Sequence, residues 1–214
     1  AGLADSTRIL YSSDHGDNLG TRGLWGKSTM YEESAGIPMM LAGPGIPSAK
    51  VIDAPVSLVD LYPTILQSAG LHDHGAIPGY PGHSLLELAN GHAPQRTVLS
   101  EYHAAGAATG AYMIRNGKYK YVHYVGMPPM LFDLAADPNE RRDLAADQAF
   151  TPVVAECERA LRSVVDPEAA DTLARADQRA MITHHGGTDA ILKRGTFRYS
   201  PPPGTNAQYF EAQR

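Results

Sequence analysis

Apolar and polar positions along the chain follow two periods. Ile9-Leu10-Tyr11, closed by Ser12 and Ser13, predicts a short buried strand that opens onto Asp14-His15-Gly16-Asp17. After the Gly-rich stretch from Gly20 to Gly26, the run Ile37 to Gly43 predicts a second core strand, ended by Pro44-Gly45. Val59, Tyr62, Pro63, Ile65, Leu66 and Ala69 take helical spacing, with Gly70 as the stop and Asp60 near the start. Ser84 to Leu88 reads as a short helical turn, and Thr97 to Tyr102 as a strand that continues the sheet. Ala111–Arg115 and Tyr119–Tyr124 flank Asn116-Gly117-Lys118, and Asn-Gly between β-formers is a strong hairpin signal. Leu131–Leu134 adds a strand, Asp137-Pro138-Asn139-Glu140 a turn, and Pro152 to Val164 an amphipathic helix that places Cys157 and Leu161 inward.

Beyond Asp166 the chain is polar and alanine-rich, which predicts helix to about Ile182 and a break at His184-His185-Gly186-Gly187. Ser200-Pro201-Pro202-Pro203-Gly204 predicts an extended arm, because proline removes donors and fixes φ. Three regions follow: 1–95, 96–165 with a small antiparallel sheet and helix, and a helical, proline-rich tail over 166–214.

Composition narrows the function classes. At 214 residues, 43% hydrophobic and 19% charged, the chain is long enough for a packed core. A net charge of -5 with scattered Lys and Arg gives no footprint for nucleic acid or an acidic membrane surface, so a small-molecule partner is expected. A single cysteine excludes an internal disulfide and leans toward a cytoplasmic setting, and no apolar run reaches the length of a spanning helix. Because the chain starts at Ala1 and enters a strand almost at once, further sequence is expected to precede it.

Ligands gather where the strands of open α/β sheets give way to loops, so Asp14 and His15 stand where chemistry is expected. The string Ser13-Asp14-His15-Gly16-Asp17-Asn18-Leu19-Gly20-Thr21-Arg22-Gly23-Leu24-Trp25-Gly26-Lys27, with Tyr31-Glu32-Glu33 and Ile37–Leu41 after it, resembles the second signature region of the sulfatases. Val56–Leu66, Gly82–Leu86 and Leu131–Leu134 with Asp137-Pro138-Asn139-Glu140 and Asp143–Ala145 agree in the same order, so the resemblance covers Arg8 to about Ala146.

The resemblance to the formylglycine-dependent sulfatases, in the alkaline phosphatase superfamily, implies an α/β fold: the C-terminal part of a mixed sheet sandwich, then a small antiparallel sheet with a packing helix. It implies a divalent cation held partly by Asp14 and His15, usually calcium, with manganese open because of the histidine. It also implies that Lys27 touches the transferred sulfuryl group, where a fixed cation stabilises charge developing on oxygen. The departure is the nucleophile: no Cys/Ser-x-Pro-x-Arg motif occurs in these residues, so formylglycine is expected outside them and the chain alone is not expected to turn over substrate.

The expected activity is hydrolysis of organic sulfate esters. Its rivals are phosphonate monoester or phosphodiester hydrolysis, and a non-catalytic binding or oligomerising role through the C-terminal arm. His103 ends a strand before a small-residue loop and is a further candidate to face substrate. Asp17 and Asn18 read as loop hydrogen-bonding groups, His184-His185 as a doublet lacking ligand-spaced partners, and Tyr119, Tyr121 and Tyr124 as cross-strand packing. A sheet short of neighbours exposes an edge and an apolar face, so poor solubility of the isolated chain is expected.

Overall fold

β1 (Ile9–Ser12) pairs antiparallel with β2 (Met39–Ala42), Ser12 opposite Met39, which puts Asp14 and His15 just beyond the end of the ladder. The computed structural model describes residues 2–71, 77–91, 96–104, 107–195 and 204. They form two units, Ala1–Pro167 and Glu168–Arg214. The expected arm at Ser200–Pro203 lies outside the described residues.

The first strand departs from expectation. Ile9, Tyr11 and Met40 are 62%, 56% and 56% exposed, so β1 and β2 are not buried strands here. Among the described residues each pairs only with the other, and alternation turns these three side chains to one uncovered face while Leu10 and Leu41 are half-buried.

A second sheet has the order β3 (Thr97–Tyr102), β4 (Ala111–Asn116), β5 (Tyr119–Tyr124), β6 (Met130–Asp133), all antiparallel. Thr97–Tyr102 therefore does not continue the first sheet: its whole length pairs with β4. The hairpin forms as its sequence predicts, one residue later than the Asn-Gly pair suggests. Asn116 closes the ladder against Tyr119, and Gly117 takes the left-handed φ of 57° at the first loop position.

The four-stranded sheet is covered on both faces, which is why Ala111 through Ile114 are all buried. One face meets α4 (Thr151–Arg162), whose Cys157 and Leu161, four residues apart, are 1% and 0% exposed. On the other, Ala111, Met113 and Val122 pack with Met30, so the segment after the first strand is fastened to this sheet. Full burial of a side chain such as Leu161 or Val122 contributes about 1.5–3 kcal/mol.

Three shorter helices complete the unit: α1 (Glu32–Ala35), α2 (Leu61–Ser68) and α3 (Leu85–Ala89). Asp60, fully buried at the entry to α2, accepts from the backbone N–H groups of Ser57 at 2.8 Å and His83 at 2.9 Å. Arg96 adds a contact at 2.9 Å to each carboxylate oxygen. In the second unit, α5 (Pro167–His184) runs two residues past the expected end before Gly186 and Gly187 turn the chain at φ 90° and 88°. A further helix, α6 (Thr188–Arg194), was not expected from the sequence. No helix among the described residues is long and apolar enough to cross a membrane.

Candidate active site

The loop after β1 folds back on itself. Asp17 accepts the N–H groups of Leu19 at 3.2 Å and Gly26 at 3.1 Å, while buried Asn18 donates from its backbone and its side chain to the Gly26 carbonyl, at 2.9 and 2.5 Å. Closing the loop between Asn18 and Gly26 returns Lys27 to the strand end, where its ammonium stands 2.5 Å from Nε2 of His15. Asp17 and Asn18 thus make the loop hydrogen bonds read from the sequence.

His15 Nδ1 lies 2.8 Å from the Gly16 carbonyl, an acceptor, so Nδ1 carries hydrogen and the lone pair of a neutral ring sits on Nε2. That lone pair faces both Lys27 and the Asp14 carboxylate, whose Oδ2 is 3.3 Å away. Two electron-rich donors turned toward each other make a place that a cation stabilises, and the Nδ1 bond fixes the ring as it does in histidine metal ligands. The Asp14 side chain is 81% exposed, so its carboxylate is accessible. Among the described residues no third His, Cys, Asp or Glu joins the pair, which therefore fits part of a cation site.

Asp14, His15 and Lys27 line a cavity of about 450 Å³ together with Thr29, Ser57–Val59 and, from β3, Ser100, Glu101 and Tyr102. Sequence reasoning missed Tyr102 and Glu101, although a strand end facing a loop was the signal. The Tyr102 hydroxyl is 2.8 Å from the Ser28 hydroxyl, next to Lys27. His103 is not among the residues lining this cavity; its Nε2 is 3.8 Å from Glu101 and its ring meets Tyr112 edge-on at 5.3 Å. The His184 and His185 rings meet edge-on with centroids 5.1 Å apart, in the second unit.

The site loop leans on α1. Ser34, 3% exposed, accepts the Gly16 N–H at 2.8 Å on its carbonyl and donates its hydroxyl to the Lys27 carbonyl. Arg22 reaches the Glu33 carboxylate at 2.6 Å and covers the Tyr31 ring at 4.2 Å. Burial raises the Glu33 pKa, but a hydrogen bond from its own backbone and the contacts and charges of Arg22 and Lys120 outweigh it, leaving the carboxyl below its ordinary value.

Comparisons with known proteins identify the family and the fold. The family described as N-sulphoglucosamine sulphohydrolase, C-terminal, matches residues 20–166. Arylsulfatase K of Danio rerio is 37% identical over 174 residues, covering 77% of this chain and 32% of the relative. Choline-sulfatase of Rhizobium meliloti (strain 1021) is 43% identical over 143 residues, 67% of this chain and 28% of the relative. A solved 2-O GAG sulfatase superposes with a TM-score of 0.68 at 28% identity, covering 84% of this chain and 39% of that one, in keeping with an α/β, alkaline-phosphatase-like fold. The chain spans about a third of the length of the curated relatives it matches. It belongs to the N-sulphoglucosamine sulphohydrolase C-terminal family, and so represents the C-terminal part of a sulfatase.

Proposed function

We propose that the protein hydrolyses organic sulfate esters, with Asp14 and His15 as ligands of a divalent cation and Lys27 beside the transferred sulfuryl group. The observation that carries this reading is the meeting of the Lys27 ammonium, His15 Nε2 and the Asp14 carboxylate at one cavity, in a chain of this family. Calcium suits the hard carboxylate oxygen, and the imidazole leaves manganese open. When bound, such a cation supplies Lewis-acid stabilisation of charge on the sulfuryl oxygens.

The chain's own residues then have separate tasks. Lys27 brings a positive charge and hydrogen-bond donors to oxygens that gain charge as the ester bond breaks. His15, its ring fixed through Nδ1, keeps Nε2 turned to the same point. The β3 residues Glu101 and Tyr102 border the space left for the organic group. Attack on sulfur is not assigned to these residues: Cys157 is buried against the sheet, and formylglycine belongs to a motif this sequence lacks.

The test is an assay of the full-length gene product with a chromogenic aryl sulfate and the matching phosphate diester, with calcium, with manganese and after chelation. Sulfate turnover that falls by roughly 10²–10³-fold in Lys27→Ala supports the reading. Preferential diester turnover lost in the same variant replaces it with phosphonate or phosphodiester hydrolysis. No turnover of either substrate leaves a binding or oligomerising role.

A further inference from the structure

A group of buried charges joins the C-terminal sheet to the helix that carries the site loop. Lys120 on β5 is completely buried, its ammonium 2.9 Å from the Glu32 carboxylate and 2.7 Å from Oε1 of Glu140. The contact with Oε1 is ionic, without hydrogen-bond geometry. The other oxygen of Glu140, whose side chain has no exposed surface, accepts the backbone N–H of Glu32 at 2.7 Å. Glu32 is the first residue of α1, so the position of that helix is set from the sheet side by a buried carboxylate.

The contacts continue to the chemistry without a gap. α1 carries Ser34, which holds the backbone at Gly16, next to His15, and the carbonyl of Lys27 itself. A parallel tie runs from Arg22, in the site loop, to the backbone carbonyls of Asn139 and Glu140. Arg22 and Glu140 have φ of 55° and 50°, a left-handed conformation that costs any residue but glycine energy. Two of the four non-glycine residues with left-handed φ among the described residues thus meet in this one contact, and such strain persists only where the surroundings over-determine it.

We infer that Lys120 and Glu140 are positioning residues: acting through α1 and Ser34, they fix where Asp14, His15 and Lys27 stand. Stability alone is a weaker account of these charges. Apolar side chains of similar volume serve a buried position as well as an ion pair or better, because the charges lose their hydration. What apolar residues do not provide is a directed acceptor for the Glu32 N–H, and with it a defined placement of the helix.

The inference rests on the proposed function for its catalytic readout, and a second measurement stands apart from it. Lys120→Met and Glu140→Gln are made in the full-length gene product, and amide hydrogen exchange is followed with aryl sulfate turnover. The expected result is exchange at the Gly16 amide faster by roughly ten-fold or more, with β4 and β5 as protected as in the parent. In the same variants kcat falls by roughly 10- to 100-fold while KM stays within about two-fold, as misplacement of catalytic groups predicts. Unchanged Gly16 exchange, or protection lost equally across the sheet, overturns the inference. Glu140→Gln keeps the side chain's size, so it carries the test if Lys120→Met does not fold. A parent that cleaves no sulfate ester refutes the proposed function, and the exchange comparison then decides the positioning role by itself.

Discussion

Gly16 donates its backbone N–H to the carbonyl of Ser34 at 2.8 Å, and a Cβ on Gly16 would stand 2.1 Å from the carbonyl oxygen of Glu33. The glycine is required by this approach of two backbones, since the atom in the way belongs to main chain and cannot rotate aside. Gly16→Ala is therefore expected to destabilise the protein by about 1–3 kcal/mol, the range for forcing a methyl into a packed site. Urea unfolding measures the loss, and a variant as stable as the parent refutes the assigned contact. The hydrogen bond it disturbs also locates His15, so the full-length protein should lose turnover by more than the unfolded fraction explains.

Asp60 and Arg96 make the second prediction. The carboxylate has no exposed surface, and Arg96, its side chain 9% exposed, is the charged partner at 2.9 Å from both oxygens. Arg96→Ala leaves a buried anion without its countercharge and should cost about 3–5 kcal/mol. Adding Asp60→Ala removes the orphaned charge, so the double variant should lose clearly less than the sum of the two single losses. Additive losses by chemical denaturation would mean that the pair does not interact as its geometry requires.

The signals legible in the sequence were local ones. Asp14 and His15 are neighbours in the chain at the end of a strand, and the hairpin is written in Asn116 and Gly117, the last residue of the ladder and the first of the loop. Asp60 was visible only as a residue near a helix start, because its partners are spread along the chain from Ser57 through His83 to Arg96 and no period connects them. Lys120 shares its strand face with Val122, which is buried, so alternation does mark it as an inward lysine. The exposed faces of β1 and β2 match the expectation that a sheet short of neighbours leaves an apolar face open, whereas the apolar runs alone suggested burial, since such a run records what a strand can bury and leaves open what will cover it.

Cys157 supports a prediction about reactivity. Burial, with the charge of Glu156 adding to it, pushes the thiol up to about 11, and the residue is 1% exposed. Nucleophilic sulfur is thiolate, so the folded protein should leave a thiol reagent at pH 8 almost untouched. The same sample in denaturant should take up reagent at its single cysteine at least about 100-fold faster. Fast labelling in the native state would contradict the packing of α4 on the sheet.

Glu158 of α4 gives the pH dependence. Burial raises its pKa, but hydrogen bonds from the Tyr121 hydroxyl at 2.5 Å and from Arg162 at 2.6 Å, with the nearby His123 and Arg162 charges, bring it below the ordinary value of 4.5. A carboxyl whose pKa is lower folded than unfolded binds its proton more readily in the unfolded chain. Its stabilising contribution is thus complete above about 4.5, the unfolded value, and disappears as the pH falls through the lower folded value. The Glu158 side chain is 28% exposed, so solvent screening keeps that contribution to about 1 kcal/mol or less. Thermal unfolding of the parent and Glu158→Gln should differ by a constant amount between pH 5.5 and 7, a working range above that midpoint, and should converge below it. A difference that instead grows on acidification would mean that the ionised carboxylate is not the form the fold stabilises.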